Sequence, residues 1–327
     1  MSQNTGIQWT DATWNPIRGC SRVSEGCRNC YAERMAARFN GKGMPYEGLA
    51  IRSEITTSKT FKSSSWTGEV RFIEEHLEDP LHWKKPRRIF VNSMSDLFHE
   101  KVSDAVITTI FDVMNRSRRH TFQILTKRPK RMMEFLSEYP PGLKDSMKIL
   151  RSQMPLPNVW LGVSVEDQKT ADERIPLLLQ TPAAVRFISY EPALGPVTPR
   201  GITKGWCPTH DFPGGFCHGP CKDDVRLDWV IVGGESGPGA RPFYIQWARD
   251  IIGQCKEAGI PVFLKQLGAQ PFDVCKKEHC LEPVRKHNSV FPLKDRKGGD
   301  WSEWPEDLRV REFPECQPMT DKQEEGR

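Results

Sequence analysis

Short apolar runs rich in β-branched residues alternate along this chain with stretches of helical periodicity. Arg88-Ile89-Phe90-Val91-Asn92 reads as a strand. After it, Val102, Ala105, Val106, Ile110, Val113 and Met114 recur at helical spacing. Phe122-Gln123-Ile124-Leu125-Thr126 is the next strand, followed by a helix over 130–138. Val159 to Ser164 then precedes a helix over 171–179, and Val185 to Ser189 follows. Asp228 to Val232 leads into a helix over 244–258 that Gly259 closes, and Pro261 to Lys265 is the last strand. Gly68 to Phe72 reads as a weaker early strand, and a first strand is expected before Cys20.

Continuous apolar strands separated by helices imply a parallel sheet buried on both faces. About eight such units over roughly 260 residues fit an α/β fold of the (β/α)8 type, complete or a partly open TIM-type barrel. The competing architecture is an open doubly wound sheet. No Gly-x-Gly-x-x-Gly follows a first strand, which argues against a dinucleotide fold. The barrel is expected over 1–268. A Cys-rich insertion over 204–225 interrupts it, and a polar extension over 269–327 ends in a disordered tail.

Polar groups gather where each strand ends. In a parallel barrel all these ends share one face, and the active site forms there. Asn92, Ser93, Asp96, Ser164, Gly233 and Gly234 are therefore candidate cofactor-binding positions. Lys127, Glu191, Glu235 and Lys265 are candidate catalytic groups. Strand ends are loops, and loops are polar on other grounds, but six ends each carry a charged or amide group. Lys265 closes a strand buried on both sides, so it needs a partner such as Glu235 or Glu191. Lys127 and Arg128 suit a carboxylate or phosphate.

Cysteine usage changes the picture most. Cys20, Cys27 and Cys30 stand in Gly19-Cys20-x6-Cys27-Arg28-Asn29-Cys30-Tyr31. Three closely spaced thiolates can hold three irons of a [4Fe–4S] cube and leave the fourth iron open. Zinc completed from afar by His99 or His120, buried thiols, and half of a disulfide framework remain open alternatives. Ten cysteines, no apolar leader at Met1 to Gly6 and no apolar run near 20 residues predict a cytoplasmic protein with metal chemistry and no membrane role. The charge of +5 permits nucleic-acid contact without indicating it. Cys207, Cys217 and Cys221, with His210 or His218, offer ligands for a second metal, either zinc or another Fe–S cluster. They are expected to share one site in a loop outside the barrel. Cys275 and Cys280 are a weaker pair.

Gly-Cys-x6-Cys-x2-Cys-Tyr-Ala on a parallel barrel resembles the radical S-adenosylmethionine (SAM) superfamily. That resemblance implies a [4Fe–4S] cluster on Cys20, Cys27 and Cys30, SAM bound at the open iron, and reductive cleavage to a 5′-deoxyadenosyl radical. It also implies a reductant protein such as flavodoxin or ferredoxin. The first gap here is six residues where the superfamily has three, and Gly233-Gly234-Glu235 comes later than the superfamily's Gly-Gly-Glu. The chain is more closely similar to a phage-associated family of three-Cys-motif proteins, mostly of unassigned function. The carrying segments are Thr13-Trp14-Asn15-Pro16, Gly26 to Ala32, Ser93 to Phe98, Leu125 to Pro129, Gly233 to Gly237, Lys265-Gln266 and Asp295 to Gly299. Ser93 to Phe98 and Leu125 to Arg128 also resemble spore photoproduct lyases, which implies a nucleic-acid substrate. Two readings result. One is a radical SAM enzyme. The other is a non-catalytic, zinc- or Fe–S-stabilised phage protein that binds nucleic acid or a three-Cys-motif partner protein.

Overall fold

The computed structural model describes residues 5–56, 60–137, 152–199, 201–202, 225–274 and 288–315. Seven strands form one parallel sheet in chain order: β1 (Ala12–Trp14), β2 (Arg88–Val91), β3 (Thr121–Thr126), β4 (Val159–Val165), β5 (Val185–Tyr190), β6 (Trp229–Gly233) and β7 (Val262–Gln266). Six helices among the described residues accompany them: α1 (Tyr31–Arg38), α2 (Asp79–His82), α3 (Asp104–Arg116), α4 (Pro129–Ser137), α5 (Gln168–Gln180) and α6 (Ile245–Ala258). Local chemistry sets their ends. Ser103 caps α3 by accepting from the Val106 N–H, and Asp167 with Thr170 forms a capping box on α5. Gly259 closes α6 in the left-handed region.

The sheet curls into a half-barrel. β2 and β6 lie four places apart, which is ~19 Å across a flat sheet at ~4.8 Å per strand. Yet the Trp9 ring lies 4.7 Å from the Phe90 ring on β2 and 6.2 Å from the Trp229 ring on β6. Only a curled sheet brings both within reach of one indole. Trp9, Trp160, Phe187, Trp229, Ile231 and Phe263 fill the concave side, with Phe313 stacked against Trp229 and Phe263. The convex side packs on the helices through a much larger apolar cluster that includes Ile89, Phe122, Ile124, Leu161, Ile188 and Val230. Burial on both sides explains why the strands read as continuous apolar runs.

The described strands make seven of the roughly eight expected, and β1 and β7 stand at the two edges of the sheet. Arg71–Phe72, at the end of the expected early strand, pairs antiparallel with Ile17–Arg18 in a separate ribbon. Ala50–Thr56 and Thr60–Trp66 form another antiparallel pair. The stretch after Ala269 is polar, yet part of it belongs to the core. Trp304 and Leu308 are fully buried, and the Leu264 N–H donates to Val310 O while the Glu312 N–H donates to Val262 O, covering the β7 edge. No helix among the described residues is long and apolar enough to cross a membrane.

Trp9 precedes β1 and plugs the N-terminal end of the half-barrel. Replacing it by Ala should cost about 3–5 kcal/mol, as for other buried Trp or Phe truncations. Urea denaturation should show this as a lowered midpoint. Val290→Ala, at an exposed site, should shift stability by less than about 0.5 kcal/mol.

Candidate functional site

Because all seven strands run parallel, their C-terminal ends open onto one face. The loop after β1 carries the cysteines across it. Asn15 starts that loop, and its Oδ1 accepts from Ser93 Oγ (3.1 Å) and the Met94 N–H (3.2 Å). Ser95 Oγ donates to Ile17 O at 2.9 Å, and Gly19 bridges to Ser95. The loops after β1 and β2 are thus laced together before the first cysteine is reached. Cys27 ends a single 3-10 turn, and Cys30 is the N-cap residue of α1.

The three free thiols line a single cavity of about 210 Å³. Asn92, Ser93, Asp96, Lys127 and Ser164 line it too. Asn92 has φ +59°, in the left-handed region where few residues other than Gly sit. Its Oδ1 accepts from the Ile17 N–H at 3.4 Å, while its buried Nδ2 has no partner among the described residues. That unpaired donor, in a cavity walled by three thiols, suits an acceptor supplied by a bound group.

Asp96 organises the charges. Its Oδ1 accepts from Thr126 Oγ1 (2.7 Å) and the Phe98 N–H (3.0 Å). Its Oδ2 accepts from the Lys127 N–H and Arg128 Nη1, both at 3.1 Å. With four donors on it, Asp96 holds Arg128 in place. Arg128 spans three partners: Asp96, Glu100 (Nε–Oε2 3.0 Å) and Ser21 Oγ (Nη2–Oγ 2.7 Å). Its Nη1 also comes within 4.0 Å of Cys20 Sγ. Burial, then the Asp96 charge, pushes the Cys20 thiol up to about 12, against the pull of Arg128. Burial likewise raises Cys30. Cys20 and Cys30 are therefore held as protonated thiols at neutral pH.

A second buried carboxylate braces the loop from β4. Glu166 is 1 % exposed and takes Lys127 Nζ (2.9 Å), Arg174 Nη1 (3.2 Å) and Ser24 Oγ (2.9 Å) on Oε1. A Cβ on Gly26 would lie 2.4 Å from that same Oε1, so only Gly fits beneath the Cys loop. Burial opposes ionisation of Glu166, but Lys127 and Arg174 outweigh it and hold the carboxyl below its ordinary value.

The remaining candidates stand elsewhere on the face. Lys265 Nζ meets Glu191 Oε1 at 2.6 Å, and Gln266 Nε2 reaches the same oxygen at 3.4 Å. Glu191, rather than Glu235, is thus the partner of Lys265. Glu235 accepts from Asn29 Nδ2 (3.0 Å), the Arg241 N–H (2.9 Å) and the Arg241 guanidinium. Burial raises its carboxyl, but Arg241 and Asn29 carry it below the ordinary value. Glu235 therefore ties the end of β6 to the residue between Cys27 and Cys30. Gly233 and Gly234 do not line the thiol cavity. A Cβ on Gly234 would lie 2.5 Å from Leu267 O, so this glycine serves the close approach of the β6 and β7 ends.

Both histidines named as distant zinc ligands already have hydrogen-bond partners. His99 Nδ1 accepts from the Lys101 N–H (3.1 Å) and its Nε2 meets Ser21 Oγ (3.0 Å). His120 precedes β3, at the opposite end of the strand, and bonds Pro80 O. Among the described residues no three His, Cys, Asp or Glu side chains converge on one ion. Separate thiolates on separate irons need no such convergence. Cys207, Cys217, Cys221, Cys275 and Cys280 lie outside the described residues.

Glu166, Arg128, Asn29 and Arg241 carry more of the site's architecture than the sequence indicated. Arg128 was visible as a polar strand end, and Glu166 follows the candidate Ser164 at the next one. Asn29 and Arg241 gave no signal, because their shared partner Glu235 becomes a neighbour of Asn29 only in the fold. The family model described as "Protein of unknown function (DUF5131)" matches residues 4–303. No curated protein and no solved structure matches the chain.

Glu166 has a defined effect on stability. Its folded value lies below its unfolded one, so its stabilisation is present in full at neutral pH. It is lost as pH falls below about 4.3, the unfolded Glu value, and through the folded one. Thermal melts from pH 7 to pH 3 should therefore fall less steeply for Glu166→Gln than for the wild type, and the variant should be less stable at pH 7. Parallel curves would refute the coupling.

Proposed function

The chain belongs to the DUF5131 family, matched over most of its length, and we propose that it is a radical SAM enzyme. Cys20, Cys27 and Cys30 hold a [4Fe–4S] cluster in this reading. The observation that carries it is the cavity of about 210 Å³ that all three free thiols line at the C-terminal face of a curled parallel sheet. When bound, the cluster supplies the electron for reductive cleavage of SAM. The electron comes from a flavodoxin- or ferredoxin-like protein.

The chain's own residues supply the setting. Arg128 places a guanidinium beside Cys20 and offsets charge where three thiolates would gather. Asn92 Nδ2 donates to the bound group and so tunes it, as hydrogen bonds to cluster sulfurs do. Lys127 stands at the cavity wall, where it steers the carboxylate of SAM. Glu191 and Lys265, at the ends of β5 and β7, form the polar pair on the other half of the face. They position the substrate and move its proton. Asp96 acts through Arg128 and is a positioning residue.

Anaerobic reconstitution with iron and sulfide should give a brown protein with about four irons per chain. With dithionite it should convert SAM to 5′-deoxyadenosine. Replacing all three cysteines by Ala should abolish iron binding. Asp96→Ala should lower the cleavage rate or cluster affinity about 10–100-fold, as other losses of outer-shell partners do. A reducible cluster that never cleaves SAM would sink the enzyme reading. Zinc in place of iron in anaerobically purified protein would favour a non-catalytic binding protein.

A further inference from the structure

A dense block of positive charge stands away from the thiols. Residues 80–95 hold four Lys or Arg, residues 113–126 hold three, and neither stretch has an Asp or Glu. The fold sets the two side by side. Arg88 opens β2 and pairs in register with Thr121, which opens β3, and the Thr121 N–H donates to Arg87 O at 2.9 Å. Arg119 crosses between the loops, giving Nε to Trp83 O (2.9 Å) and Nη2 to Leu81 O (2.7 Å). The loops thus form one surface at the N-terminal ends of β2 and β3. The thiol cavity lies at the opposite ends, about 20 Å away along β3 at ~3.3 Å per residue.

Three of these seven cations have partners that use their charge. Arg88 pairs with Asp11 (3.1 Å), Arg116 reaches Glu78 and Asp112 (both 3.6 Å), and Arg87 lies over the Trp83 ring. The other four, Lys84, Lys85, Arg118 and Arg119, are exposed, and none has a carboxylate partner among the described residues. Arg118 is held by Asn115, through its O (3.2 Å) and Oδ1 (2.9 Å). Arg118 and Arg119 are therefore oriented by neutral acceptors, and the Nη1 of each has no acceptor among the described residues. Burial holds the His120 imidazole below its ordinary value, and the charges of Arg119 and Arg87 push it the same way.

We propose that Lys84, Lys85, Arg118 and Arg119 bind the phosphate backbone of a nucleic-acid duplex. Guanidiniums fixed by neutral acceptors keep their charge and present donors in set places to phosphate oxygens. A protein partner needs apolar anchors at the centre of its interface. None of the seven exposed large apolar side chains among the described residues lies in these loops, and Trp83 is buried. The same lack of an exposed Trp, Tyr or Phe ring removes the stacking platform that a single strand uses. What remains is charge without base contact, which is how a duplex backbone is held irrespective of sequence. The surface faces away from the thiols, so it anchors the chain to a duplex whatever reaction the other face supports.

Fluorescence anisotropy of a labelled 20-bp DNA duplex against the full chain, over a salt series, tests this. Binding is expected with a dissociation constant of about 10⁻⁴–10⁻⁶ M near physiological salt and a log–log salt slope of about −3.6, for four phosphates at ~0.9 each. Lys84→Ala/Lys85→Ala/Arg118→Ala should bring the slope to about −1 and weaken binding more than about tenfold at low salt. That variant keeps Arg119, which ties the loops together, and circular dichroism melts check that it is folded. Arg118→Lys should hold the slope. Lys130→Ala/Lys169→Ala, at exposed sites on α4 and α5, should bind as the wild type does. A single strand of the same length should bind more weakly than the duplex. No binding at low salt, a folded triple variant with the wild-type slope, or an equal loss in the Lys130/Lys169 variant would overturn the proposal. So would a single strand that binds more tightly than the duplex, or polyglutamate that binds as tightly, which would point to an acidic protein instead.

Discussion

Arg128 is the joint on which the face of this molecule depends. A guanidinium mostly removed from water must have every donor placed, because an unpaired buried charge costs several kcal/mol. Asp96 from the β2 end, Glu100 and Ser21 from the Cys loop supply the partners. Two separate stretches of chain, the loop after β2 and the Cys loop, are thereby fixed to one planar group. The Cys loop has little apolar surface of its own, so this anchoring, with Glu166 beneath Gly26 and Glu235 on Asn29, sets where the thiols stand. Each brace is a carboxylate from a strand end reaching into the loop or to its anchor.

The curl of the sheet makes that arrangement possible. An aromatic plug of Trp9, Trp229, Phe263 and Phe313 fills the N-terminal half of the concave side. Stacked rings there draw the strands around a common centre. The space they leave lies toward the C-terminal ends, where the polar residues are. Apolar filling at one end and chemistry at the other thus come from one packing decision. The segment after β7 completes it, because Val310 to Glu312 cover the last edge and deliver Phe313 to the plug.

Two kinds of electropositive surface result. At the thiol cavity, Lys127 and Arg128 are matched by the buried carboxylates Glu166 and Asp96. Along the outer side of α1, Arg34 and Arg38 have no carboxylate partner among the described residues. The difference lies in which face of α1 holds Glu33. Turned inward, it neutralises Arg22 and leaves the outer face basic.

The alternation of apolar runs and helical periods was enough to place six of the seven strands, their parallel sense and the polar face they share, while the first strand was expected only as lying before Cys20. The spacing of Cys20, Cys27 and Cys30 marked the loop that carries chemistry. These features are local, because strand burial and thiol spacing are written in neighbouring residues. Pairing across the fold was not legible. The choice of Glu191 over Glu235 for Lys265, the clamp of Glu235 on Asn29, and Arg128 as the hub each join residues between 74 and 206 positions apart or across three loops. The weak early strand was misplaced for the same reason. Whether a short extended segment joins the main sheet depends on which edge is open, and Arg71–Phe72 found its partner in Ile17–Arg18. Sequence period decides what each segment can bury, and only the tertiary structure decides against what.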